Sequence, residues 1–205
     1  MSDFNSTYRQ IGDLGNKMGG DEGVKRFLSG ELVLVERSKL SAGPAALRLQ
    51  FRESVAVAAC KFTVNDSFTK SNNKVKFIHI NDEDLARLFG NSQKYASASE
   101  LAVHRIIQAS HDPEVMVALG PYHSKRFIKL GQFYQLIEVQ GWGQEGPLLV
   151  NGYANIAYVL DENGAPWAVD AFWSRDHGGW YVLVYSIAHQ YTWPAGSQVF
   201  SQAII

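Results

Sequence analysis

Cysteine is nearly absent from this 205-residue chain: Cys60 stands alone, which excludes an intrachain disulfide and a thiolate-rich metal site. A charge excess is also missing. Lysine and arginine number 19 against 20 acidic residues, a formal net charge of −1. Such a balance offers no general attraction to phosphate backbones or anionic lipid, so neither nucleic acid nor membrane is an expected partner. It also does little to hold copies apart, which leaves self-association open. No apolar run approaches the roughly 18 residues of a membrane span. The start, Met1-Ser2-Asp3-Phe4-Asn5, lacks the basic region and apolar core of a signal peptide. With the lone thiol, these features point to the cytoplasm.

Catalytic signatures are equally scarce. The histidines are His79, His104, His111, His123, His177 and His189, and no two stand at the i, i+4 spacing of a zinc-protease helix. No metal or cofactor is expected. Lys17–Gly23 is glycine-rich but lacks the Gly-Lys-Ser/Thr pairing of a phosphate loop. No Gly-x-Ser-x-Gly elbow occurs. Cys60 follows Val57-Ala58-Ala59, the setting of a buried, inert thiol.

What the chain does have is apolar residues, 46 % of the total, and turn signals at useful places. Between Asn151 and Ile187, Tyr153–Leu160, Trp167–Ser174 and Trp180–Ile187 are aromatic-rich and strand-length. Asp161-Glu162-Asn163-Gly164 and Arg175-Asp176-His177-Gly178-Gly179 separate them, and Asn-Gly and Gly-Gly suit tight hairpins. The pattern predicts a three-stranded antiparallel meander.

Upstream, helical spacing is read at 3–18 and 21–30, and a strand at 32–35. Residues 45–64 alternate at both ends but not in the centre, which fits one bent strand or two. Asn65–Asn73 reads as a hairpin loop, Val75–Ile80 as a strand, and Asn81–Phe89 as a capped short helix stopped by Gly90. Ser99–Ser110 fits either period and is taken as a strand. Asp112-Pro113 opens a short helix ending at Gly120, and Lys125–Gln140 carries an apolar stripe at helical spacing. Trp193-Pro194-Ala195-Gly196 ends regular structure before an apolar tail, Val199–Ile205. The expected class is α+β: an antiparallel sheet with the C-terminal meander, packed against several short helices, in a single domain 1–205. A sub-boundary, if there is one, falls at 141–150, where composition changes most sharply.

Two features suggest function. Aromatics crowd the C-terminal third, and Trp173, Trp180, Tyr153, Asn155 and Trp193 are the candidate binding residues. Asp170, inside the apolar run Trp167–Trp173, is the candidate catalytic residue, with Asn155 in the preceding strand as a polar neighbour. The favoured function is a noncatalytic intracellular protein acting through an aromatic surface, by self-assembly or by holding a protein partner. A small hydrolase-like or ligand-binding enzyme, with a pocket around Asp170 and Asn155, is the alternative.

The segments Gly19–Leu32, Leu149–Val159, Trp167–Asp170, Gly178-Gly179-Trp180 and Gln198–Ser201 resemble uncharacterised small proteins predicted in environmental bacterial genomes. That resemblance implies a bacterial source and no particular activity.

Overall fold

The meander is present, and it contributes three of the seven strands of one mostly antiparallel sheet. The computed structural model describes Lys25 and residues 48–90, 95–120, 123–188 and 191–203, with the side chains of His123 and Ser124 left aside. Two units, Met1–Ala45 and Ala46–Ile205, make up the chain, and the architecture here is that of the second. The elements read at 3–18, 21–30 and 32–35 lie outside the described residues, Lys25 excepted.

In order, the elements are β1 (Leu49–Val57), β2 (Cys60–Lys61), α1 (Val64–Ser67), β3 (Phe77–Ile80), α2 (Asp82–Phe89), β4 (Tyr95–Ala96) and β5 (Ser99–Ile106). Next come β6 (Ser110–His111), α3 (Asp112–Ala118), α4 (His123–Arg126) and α5 (Leu130–Val139). The last are β7 (Asn155–Leu160), β8 (Pro166–Ser174), β9 (Gly179–Ser186), β10 (Thr192–Trp193) and β11 (Gln198–Gln202). The large sheet runs β1-β5-β11-β7-β8-β9-β3, and β10/β6 and β2/β4 form two small ladders.

The first hairpin turns on Asp161. Its Oδ1 accepts from the backbone N–H of Asn163 and of Ala165, both at 2.8 Å, and Gly164 supplies a φ of 79°.

Three expectations change. Regular structure does not end at 193–196, because β11 (Gln198–Gln202) lies inside the sheet, antiparallel to β5 and parallel to β7, and Ile204 and Ile205 lie outside the described residues. Asn65–Asn73 is not a hairpin loop. Its first three residues belong to α1, and the following β3 lies at the sheet's far edge, parallel to β9. The stripe at 125–140 divides into α4 and α5.

The ambiguity at 45–64 has a local cause. The β1–β5 register shifts between Phe51 and Glu53, leaving Arg52 as an extra residue. A bulge of this kind reverses which residues face which side. Leu49 therefore packs beside Ile106 on one face, whereas Val57 packs beside Leu101 on the other.

Both sheet faces are covered, unequally. On the first, Phe133, Leu136 and Ile137 of α5 and Leu85 and Phe89 of α2 pack against Ala157, Val159, Val169, Trp180, Val182 and Phe200. On the second, Val115 and Met116 of α3, with Phe127 and Trp193, pack against Ile106, Ile156, Tyr158, Ala168 and Val199. The fully buried members of this second cluster reach Ala168 on β8, with Tyr185 of β9 packed against them. The face beyond this cluster, on β8, β9 and β3, is where the candidate site lies.

Candidate functional site

The tryptophans divide between interior and surface. Trp180 is fully buried and donates from Nε1 to the carbonyl of Gln140 at 2.8 Å. Trp193 is buried as well, and its Nε1 donates to Asp112 Oδ1 at 2.7 Å. The Tyr158 hydroxyl donates to that same oxygen at 2.7 Å. Burial, then the adjacent carboxylate, pushes the Tyr158 phenol well above its ordinary range, so it stays a donor. Asp112 is thus an interior acceptor within the first turn of α3 rather than a cap outside it.

Asn155 is interior too. Its Oδ1 accepts from Leu149 N–H at 2.7 Å and Gln198 Nε2 at 2.8 Å, and its Nδ2 donates to Leu149 and Ala171 carbonyls. Of the five candidate binding residues, Trp180, Trp193 and Asn155 therefore belong to the core. Trp173 is half-buried, edge-on to Trp180 with ring centroids 5.6 Å apart. A Cβ on Gly143 would come 2.5 Å from the Trp173 ring, so the 141–147 segment closes over it only because glycine is there, at a φ of 76°. Tyr153 is exposed.

Asp170 is buried on the second face, and its Oδ1 has no hydrogen-bond partner. Burial raises its carboxyl to about 8, and a hydrogen bond from the backbone of Asn155 offsets this only in part. The registers Asn155↔Ala171 and Ile156↔Asp170 send the two side chains to opposite faces of the sheet. A pocket centred on both is therefore not built. The carboxyl lies among apolar and aromatic neighbours, with Leu183 directly opposite and Tyr185 close enough to feel its charge.

Above Asp170 runs a row of rings. Phe172 pairs with Tyr181 across β8 and β9, the rings stacked at 4.9 Å and 14°. Tyr181 pairs in turn with His79 on β3, at 5.9 Å. At the hairpin tip His177 Nδ1 lies 3.2 Å from the Tyr181 hydroxyl and 3.0 Å from Ser174 Oγ. Phe172, Tyr181 and Leu183 are half-buried and His79 and His177 are exposed, so the row faces outward. Farther along, Tyr185 stacks on Tyr191 at 5.7 Å and 5°, and both meet Trp193 edge-on.

No family model, curated protein or solved structure matches this chain. Among the described residues no group of three histidine, cysteine or acidic side chains is arranged to hold a metal ion. No described helix is long and apolar enough to cross a membrane.

Period-2 spacing within β9 was the available signal for Tyr181 and Tyr185. Nothing in the sequence pointed to His79, because the β3–β9 pairing joins segments about a hundred residues apart in the chain (Phe77↔Trp180).

Proposed function

We propose that this chain is a noncatalytic, intracellular binding protein whose working surface is the ring row His79–Tyr181–Phe172, engaging a second copy of itself or a protein partner. The observation that carries the reading is the stacked Phe172–Tyr181 pair on a half-buried sheet face beyond the edge of the α3-covered cluster. Flat rings with polar edges favour protein contacts, because they bury much area with few torsions to freeze. The near-zero net charge supports the self-associating form, since copies meet little long-range repulsion. Trp173 and Tyr153 extend the binding role to residues outside this row, while Trp180, Trp193 and Asn155 hold the sheet that presents it. The test is mass by light scattering at low and high protein concentration, for the natural chain and for Tyr181→Lys. The natural chain is expected to gain mass with concentration, and the variant to stay single. One unchanging mass for the natural chain, together with no protein retained by it and released by the substitution, overturns the proposal.

A further inference from the structure

A cleft of about 1020 Å³ lies between β2, α1 with its following loop, β4 and α5, and it shares no residue with the ring row. Its volume is at the upper end of the range for small-molecule sites. Its wall is unlike the apolar lining usual for such sites. Eight of its sixteen lining residues are Ser, Thr, Asn or Gln.

Two lysines and two carboxylates also line it, equal in number, and Lys74, Glu138 and Asp66 have partners within the wall. Lys74 Nζ is 2.9 Å from Glu138 Oε1, and Asp66 Oδ2 accepts from the Thr63 hydroxyl at 2.6 Å. No strong field of one sign results, which disfavours a highly charged ligand. Glu138 Oε1 is held further by the Tyr134 hydroxyl at 3.4 Å, itself reached by Asn72 Nδ2 at 2.7 Å. At the rim Tyr95 is 61 % exposed, a large ring with an open face beside hydrogen-bonding groups.

Cys60 is in the wall, with Gln135 Nε2 3.2 Å from its sulfur. Burial raises its thiol, which keeps it protonated and weakly nucleophilic. The cleft is thus equipped to hold a molecule rather than to attack one.

We propose that this cleft binds a neutral polyhydroxylated ligand, a saccharide whose apolar face stacks on Tyr95 and whose hydroxyls are read by Asn65 and Asn73. Gln135 Oε1 is a further acceptor, because its Nε2 is held by the Ala58 carbonyl and the Cys60 sulfur. Amide side chains present a donor and an acceptor side by side, the pattern that neighbouring sugar hydroxyls require. An aromatic ring complements the C–H face of the pyranose.

The experiment is an array of neutral and charged oligosaccharides probed with the full chain, followed by calorimetric titration of the strongest neutral binder. The expected result is a neutral saccharide whose affinity falls about tenfold in Tyr95→Ala and is unchanged in Tyr181→Lys. Tyr95 is exposed enough for its variant to fold, and circular dichroism checks that it does. Binding of no neutral saccharide, binding of charged ones only, or equal affinity in Tyr95→Ala overturns the proposal. Because Tyr181→Lys removes the ring row alone, failure of the cleft and failure of the binding face are read separately.

Discussion

Gln198 donates from Nε2 to Asn155 Oδ1 at 2.8 Å, side chain to side chain, across the parallel pair of β11 and β7. The same nitrogen reaches the Pro147 carbonyl at 2.6 Å, and Asn155 holds both backbone groups of Leu149. Two buried amides therefore fasten the C-terminal strand, the meander and the 147–149 segment to one another. Each buried polar group left unpaired costs about 1–3 kcal/mol. Asn155→Ala strands several at once and should destabilise by on the order of 3 kcal/mol, and Gln198→Ala by less. Urea unfolding checks this: the midpoints should fall with unchanged slopes. The double substitution should cost less than the sum, since each single change already breaks the shared bond.

The position of β11 makes a second outcome specific. Val199 and Phe200 are fully buried on opposite faces, and β5 and β7 both pair with this strand. Ending the chain after Gln198 should abolish cooperative unfolding rather than trim a loose end. It would leave β5 and β7 without their common neighbour and open a gap in both cores. Thermal unfolding followed by circular dichroism decides it, with a sharp transition in the full chain and none in the shortened one.

Asp170 gives the protein a dependence on alkaline conditions. An unfolded aspartate titrates near 4, whereas the buried carboxyl titrates at about 8. Between those values the folded state binds the extra proton, so stability falls as pH rises. The favourable contribution is complete below about 4, declines through the window and is gone above about 8. Asp170→Asn removes the ionisation and should flatten this slope, making the variant the more stable form at pH 9. Denaturant midpoints measured from pH 5 to 9 on both chains test the sign, and parallel curves would defeat it.

How much of this was legible follows from how local each signal was. The meander could be read because its hairpins are short and their turn residues are chemically distinctive, as Asp161 and Gly164 show. The helix at Asp82–Phe89 carried its acidic first turn and its stop in adjacent residues. Strand β11 was hidden because its partners, β5 and β7, lie far back in the chain, and an apolar tail has the same composition whether loose or central. Asp170 stands out in the sequence as a carboxyl in an apolar strand, but only the register shows that Asn155 faces away from it. Trp180 and Trp193 stand among the binding candidates because aromatics crowd the C-terminal third, yet each carries an N–H that can be buried once it is satisfied. Gln140 and Asp112, 40 and 81 positions away, provide acceptors that no nearby residue announces.

The shared acceptor Asp112 Oδ1 yields the sharpest comparison of isosteric changes. It takes bonds from Trp193 Nε1 and the Tyr158 hydroxyl, both at 2.7 Å, under the first turn of α3. Asp112→Asn can keep an oxygen in that place and continue to accept from both donors, at the loss of charge assistance and with an amide nitrogen in the buried place of Oδ2. Asp112→Leu has similar bulk but presents no acceptor, leaving two interior donors unsatisfied. The asparagine variant should lose about 1 kcal/mol and the leucine variant about 3 or more. Tyr158→Phe and Trp193→Phe, introduced into the leucine background, should each recover part of the loss by removing a stranded donor. In the natural background the same two changes should only destabilise. That reversal of sign, read from denaturant midpoints, separates hydrogen-bond satisfaction at this carboxylate from a role based on packing volume, which predicts losses in both backgrounds.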